Sequence, residues 1–128
     1  MNKLTPSKQD YLEAILDLSV QGAPVRSIDV ANALGFSRAS VSRAIGLLRA
    51  DGFLLQQPYG GITLTDLGRR EAIKVRRRHD LLKYYLIHIL LVPEEIAEED
   101  ACRMEHVVSS TTLEAAATQH MKEFHGGR

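Results

Sequence analysis

The chain has 128 residues, which bounds it to one domain or two small ones. Its composition is 45% hydrophobic and 25% charged, with 16 basic and 16 acidic side chains, which excludes wholesale disorder. The single cysteine, Cys102, excludes an intrachain disulfide framework, and Leu81–Val92, the most apolar run, is too short to span a bilayer, which takes about 20 apolar residues. The first thirty residues show no apolar run of a secretory signal, so the chain is expected to be cytoplasmic, with no membrane partner.

The zero net charge hides an asymmetry. Residues 26–78 carry a net +6, whereas residues 79–128 carry a net −5. A basic middle and an acidic end point to two tasks, one toward an anion and one toward a cation.

Apolar positions recur at helical spacing. Thr5-Pro6 reads as an N-cap with proline at the first helical position, opening a helix to about Val20. Gly22-Ala23-Pro24 breaks it. Ser27 is placed to cap a short second helix that Gly35 ends, and Ser37 a third that Asp51-Gly52 closes. Phe53–Gln57 and Gly61–Thr65 read as short strands joined through Pro58-Tyr59-Gly60-Gly61. Thr65 caps a long helix expected from Asp66 to Leu91, basic first and apolar later. Pro93-Glu94-Glu95 restarts the chain as a fifth helix to about Val107, and a sixth runs from about Ser110 to Phe124, before a frayed tail.

This order predicts a mainly α fold. A winged helix-turn-helix DNA-binding domain, residues 1–72, is followed by an α-helical domain, residues 73–128, which the family resemblance given below implies to be the metal-binding and dimerisation domain. The start of a recognition helix meets base edges in the major groove. Here it offers Ser37, Arg38, Ala39, Ser40, Ser42 and Arg43. Small residues allow close approach, hydroxyls bond phosphate or base, and arginine takes guanine by a bidentate contact. Arg26 and the hairpin tip at Tyr59 and Gly60 complete the expected double-stranded DNA contacts. The bland alternative is a protein-binding winged helix with a solvated basic face.

The acidic half carries Cys102, Glu105 and His106, at i, i+3 and i+4, which share one face of a helix. Thiolate, carboxylate and imidazole are transition-metal ligand types. From these three residues alone, a buried cysteine beside a surface Glu–His pair is the commoner arrangement. Asp10 and Glu13 share a face of the first helix, where the bland reading is an exposed acidic stripe. His79 follows the run Arg76-Arg77-Arg78.

Asp100-Ala101-Cys102-Arg103-Met104-Glu105-His106-Val107 closely resembles the metal-ligand helix of the diphtheria-toxin-repressor and manganese-transport-regulator family of metal-dependent repressors. Gln9–Ile15 resembles the family's first helix, Ser40–Ile45 and Leu48–Gly52 its recognition helix, Leu64–Gly68 its wing exit, and Arg78–Leu82 its linker helix. The resemblance covers about residues 5 to 124. It implies metal ligands at Asp10, Glu13, His79, Cys102, Glu105 and His106, and a homodimer. Asp10 resembles the manganese branch and Cys102 the iron branch. Lys83 stands where the iron branch's second metal site needs an acid, and the SH3-like domain of longer members is not expected, since the chain ends at Arg128.

The implied activity is a metal-activated repressor of metal-uptake genes on a near-palindromic operator. Fe(II) is favoured and Mn(II) next, with Zn(II) and Co(II) able to bind in vitro. No small-molecule substrate is expected. Two rivals are weighed: a winged-helix regulator not controlled by metal, and a small zinc hydrolase with Glu105 as base. The hydrolase lacks a second catalytic constellation and leaves the basic helix unexplained, so the chain is expected not to be an enzyme.

Overall fold

The computed structural model describes residues 4–58 and 61–121. The chain divides into two compact units, Met1–Lys74 and Val75–Arg128.

In the first unit, helix α1 spans Pro6–Leu18. The Thr5 hydroxyl accepts from the Lys8 N–H at 3.2 Å, as the sequence predicts for its cap. The helix stops before Val20. Ser19 adopts an extended backbone and its hydroxyl donates to the Ile15 carbonyl at 2.6 Å, and a single 3-10 turn, Val20–Gly22, follows. Helix α2 spans Ser27–Leu34, but its N-cap is Arg26 rather than Ser27. The cause is not local. Val25 pairs with Ile62 through two backbone hydrogen bonds of 2.8 Å, which keeps the chain extended up to Arg26. Gly35 ends α2 in the left-handed region, φ 71°, with its N–H on the Ala31 carbonyl at 2.8 Å.

Helix α3 spans Arg38–Ala50, and the Ser37 hydroxyl accepts from the Ser40 N–H at 3.1 Å. Strands β1 (Leu54–Gln56) and β2 (Ile62–Leu64) pair antiparallel with Leu55 opposite Thr63. They are shorter than the sequence suggests because Phe53 belongs to the turn. Its N–H reaches the Leu48 carbonyl at 2.9 Å and its carbonyl accepts from Thr65 at 3.1 Å. The core of this unit is built on Leu12, Ile15, Val30, Ile45, Leu48 and Ile62. It pins α3 by one side only, and that fixes which face of α3 is left to solvent.

Helix α4 spans Asp66–Tyr84, so it begins in the first unit and continues into the second. The Thr65 hydroxyl caps it, accepting from the Gly68 N–H at 3.0 Å. The α-helix does not reach Leu91. A π turn, Tyr85–Ile89, widens it, and Leu91 at φ 59° reverses the chain. Helix α5 spans Glu94–Met104, with Glu94 and Glu95 in the first turn where the helix dipole favours acids. It stops three residues short of Val107, because the Val107 and Val108 N–H groups both turn back to the Met104 carbonyl at 3.0 Å. Helix α6 spans Ser110–Met121, and the expected continuation to Phe124 and the tail lies outside the described residues. Ala97 and Ala101, one turn apart on α5 and fully buried, pack with Leu82 and Leu86. Their small side chains let α5 pack against the end of α4 at Leu82 and the π turn at Leu86. Among the described residues, no helix is long and apolar enough to cross a membrane.

Candidate metal centre and nucleic-acid interface

Side chains of α4 and α5 meet in the second unit and carry a set of donor atoms. His79 comes from α4, while Glu98 and Cys102 lie one turn apart on α5. Glu105 is the C-cap of α5, its N–H still on the Ala101 carbonyl at 3.0 Å, and His106 follows in the turn. Glu105 keeps near-helical dihedrals, φ −59° and ψ −24°, and points inward all the same.

Glu105 is 1% exposed and His79 7% exposed. Each oxygen of Glu105 meets one imidazole: Oε2 lies 3.3 Å from His79 Nδ1 and Oε1 3.4 Å from His106 Nε2. Cys102 Sγ lies 3.6 Å from the same His79 Nδ1. The commoner arrangement, a buried cysteine beside a surface Glu–His pair, is inverted: Cys102 is exposed and the carboxylate is buried. Burying a carboxylate is costly unless positive charge compensates it. His106, Glu105, His79 and Cys102 thus form a chain of pairwise contacts, and their thiol, carboxylate and imidazoles are donor types that suit a divalent transition metal.

Glu98 is the member of the cluster that the sequence reading missed. Its carboxylate lies 3.0 Å from His79 Nε2, 3.5 Å from Cys102 Sγ and 3.0 Å from Lys83 Nζ. The Lys83 ammonium, first, and the His79 ring hold the Glu98 carboxyl down to about 2, against the opposing effect of burial. The same bond raises Lys83 above the usual lysine range. The signal was available as spacing, since Glu98 stands one turn before Cys102, but the acidic run Glu94–Asp100 masks it.

A depressed carboxylate stabilises the fold above its ordinary range, and the contribution disappears as pH falls through the folded value. In the metal-free chain, wild type is therefore expected to be more stable than Glu98→Gln at neutral pH. The difference should shrink as pH falls from about 4.5 toward about 2. Acid unfolding of both proteins checks it, and a difference that persists below pH of about 2 contradicts it.

Asp10 and Glu13 lie in the first unit, one turn apart on α1 and half-buried, with Asp17 exposed beyond them. On α3, the buried side is Val41, Ile45 and Leu48. Arg38, Ala39, Ser40, Ser42 and Arg43 are all exposed, as are Ser37 and Arg26 just ahead of their helices. Arg49 Nη1 donates to Gln56 Oε1 at 2.9 Å and ties the end of α3 to the hairpin. Tyr59 and Gly60 lie outside the described residues.

Residues 3–62 match the family model described as the iron dependent repressor N-terminal DNA binding domain, and residues 65–120 that of its metal binding and dimerisation domain. The chain is 34% identical over 112 residues to an HTH-type transcriptional regulator of Methanocaldococcus jannaschii, covering 87% of this chain and 90% of the relative. It is 39% identical over 106 residues to the transcriptional regulator MntR of Salmonella typhimurium, covering 83% of this chain and 67% of MntR. A solved manganese-dependent transcriptional repressor in complex with manganese superimposes with a TM-score of 0.79 at 30% identity, over 88% of this chain. This chain spans about half (51%) of that longer one. These relatives are transcriptional regulators rather than enzymes. With both of its halves matched in order, the chain belongs to the iron-dependent repressor family of metal-dependent, DNA-binding transcriptional regulators.

Proposed function

We propose that the chain is a homodimeric repressor that binds a near-palindromic operator when loaded with a divalent metal, and so controls metal-uptake genes. The observation that carries this reading is the buried Glu105 carboxylate set between the His79 and His106 imidazoles, with the Cys102 thiol against the same His79 ring. Asp10 and Glu13, by the family resemblance, add ligands from the DNA-binding domain, residues 1–72, to those of the dimer domain, residues 73–128. A bound divalent ion supplies the positive charge that two or more carboxylates and a thiolate need to lie together.

The rest of the mechanism belongs to the chain's own residues. Ligands drawn from both domains restrict how α3 is presented. Leu82, Tyr85, Leu86, Ile89 and Leu90 line an open apolar groove of about 480 Å³ in the second unit, and with Leu81 and the fifth helix they form the proposed dimer face. Two recognition helices held by a dimer must match half-sites one helical turn, or a multiple, apart. Restricting their spacing raises operator affinity by selecting the competent geometry. The exposed edge of α3 reads the operator, with Ser37, Arg38, Ala39, Ser40, Ser42 and Arg43 nearest the bases and Arg26, Tyr59 and Gly60 on the flanks.

Fe(II) is the proposed effector, with Mn(II) next, and Zn(II) and Co(II) binding in vitro. The Cys102 thiolate shifts preference away from Mn(II), while Asp10 adds a hard oxygen. Operator binding titrated anaerobically with Fe(II), Mn(II), Zn(II) and Co(II) tests the reading. Cys102→Glu is expected to move activation toward Mn(II). A wild type that answers better to Mn(II) than to Fe(II), or a swap that leaves their ratio unchanged, removes the iron assignment. Binding that ignores every metal removes the metal-activated reading itself.

Arg43→Ala tests the DNA face. The side chain is exposed, opposite Val41 and Ile45. Its loss is expected to weaken operator binding by about 1–3 kcal/mol and to relax preference at one base pair per half-site. Equal losses on operator and random DNA would show that Arg43 touches only phosphate.

A further inference from the structure

The exposed side chains of α3 are arginines, serines and alanines, with one exception. Leu47 is 48% exposed, the one large apolar side chain left open to solvent on this helix among the described residues. Val41, Ile45 and Leu48 turn inward and Ala44 packs against the core that they help to build, while about half of Leu47 stays in water. Single exposed leucines are ordinary on a protein surface, so position decides whether this one matters. Ser40, Arg43 and Leu47 stand at i, i+3 and i+7, on one face of the helix. All three line one open cleft of about 250 Å³ between α1 and α3, with Lys8 and Tyr11 on its other wall. Leu47 therefore continues, one turn further along, the edge that carries Arg43.

The residue before it is also unusual. Gly46 lies in the interior of α3, where glycine weakens a helix relative to alanine. Among the described residues nothing demands a glycine there, since a Cβ would have no atom within 4 Å. One use of glycine at such a place is to let a surface outside the chain come close. For the domain that contains α3, that surface is DNA.

A leucine offers DNA no hydrogen bond. Set against phosphates, it would displace their water and return nothing. The base edges of the major groove display one apolar group, the C5-methyl of thymine, and a leucine suits it. From Arg43 to Leu47 the helix rises about 6 Å, the length of about two base-pair steps. We propose that Leu47 is a specificity-determining residue that packs on a thymine methyl group about two base pairs from the pair read by Arg43, with Gly46 letting α3 lie deep enough in the groove for that contact. The inference rests on the reading of α3 as the recognition helix, and it carries the reading edge beyond residues 37–43.

The test first selects a preferred operator from a pool of random duplexes, using the full chain loaded with the metal that gives the tightest DNA binding. Each thymine of a half-site is then replaced by deoxyuridine, which keeps the pairing and removes the methyl group. Wild type is expected to lose roughly 4-fold in affinity per half-site at one position, the worth of one buried methyl group. Leu47→Ala should lose a similar factor on the thymine operator and be indifferent to deoxyuridine at that position. Leu47→Met, which keeps an apolar tip, should remain sensitive. The side chain is exposed, so the urea midpoint of Leu47→Ala should match wild type. Gly46→Ala should weaken operator binding about 5-fold or more by crowding the groove, although alanine favours the helix. Equal responses of wild type and Leu47→Ala to every deoxyuridine overturn the proposal, and so does a Gly46→Ala chain that binds the operator as tightly as wild type. Arg43→Ala separates the two levels. If both it and Leu47→Ala discriminate operator from random DNA as wild type does, or if the pool yields no preferred sequence, α3 is not the reader. If Arg43→Ala loses discrimination while Leu47→Ala keeps all of it, only the role of Leu47 falls.

Discussion

Glu105→Ala is expected to abolish metal-stimulated operator binding and to leave the metal-free chain folded. Glu105 is 1% exposed and its two oxygens address two different imidazoles, His79 and His106. No other carboxylate of the second unit is as deeply buried among the described residues. Removing it therefore takes away the anion around which the other donors are arranged. Loss of residues that only support a ligand typically costs 10–100-fold in metal affinity, so loss of a central ligand should cost at least about 100-fold. The effect on the metal-free fold is smaller. Removing a buried carboxylate ends its desolvation cost but leaves the His79 and His106 rings without that partner, and these two effects oppose each other. Thermal unfolding with and without Mn(II) separates these effects. Wild type should be stabilised by the ion by mass action, and Glu105→Ala should not. Glu105→Gln, which keeps the shape and loses the charge, should behave as the alanine variant does. A variant that still gains stability and DNA affinity from metal would place the centre elsewhere.

What could be read from the chain follows from how local each interaction is. Thr5, Ser37 and Thr65 were legible as caps, because a hydroxyl bonding a backbone N–H three residues on is decided within one turn. Ser27 has the same chemistry and is not the cap, because a bridge to Ile62, 35 positions after it, sets the backbone there. The end of the fourth helix was equally hidden. Nothing in Tyr84–Leu91 announces a π turn, and apolar periodicity simply continues through it. At the centre, residue types were legible and burial was not. Hydrophobicity ranks Cys102 inside and Glu105 outside, yet the fold does the reverse. Glu98 needed the packing of α5 against α4, since only that brings it to His79 and Lys83.

The largest expected effect on stability comes from a glycine, and a second glycine supplies its control. Gly68 sits in the first turn of α4, where a Cβ would meet the carbonyl oxygen of Phe53 and would lie 3.3 Å from Leu64 Cδ2. The obstacle is backbone, so it cannot turn aside as a side chain would. Neither can the helix recede. Thr65 N–H donates to that same Phe53 carbonyl at 3.1 Å, the Thr65 hydroxyl donates to the Gly52 carbonyl at 2.7 Å, and Gly68 N–H donates to the Thr65 hydroxyl at 3.0 Å. Moving α4 away strains three bonds, each worth about 0.5–1.5 kcal/mol net. Overpacking alone costs about 1–3 kcal/mol, and alanine returns about 1 kcal/mol of helix propensity. Gly68→Ala is therefore expected to destabilise the first unit by about 2–3 kcal/mol. Gly46, in the middle of α3, has nothing within 4 Å of its would-be Cβ. There only the propensity gain remains, and Gly46→Ala should stabilise the same unit by roughly 0.5–1 kcal/mol. Urea unfolding of the metal-free chain and both variants, at unchanged slope, measures the pair. Two substitutions of identical chemistry in two helices should move the midpoint in opposite directions. If Gly68→Ala also stabilises, α4 does not rest on the Phe53 carbonyl, and the hairpin is not what holds the start of that helix.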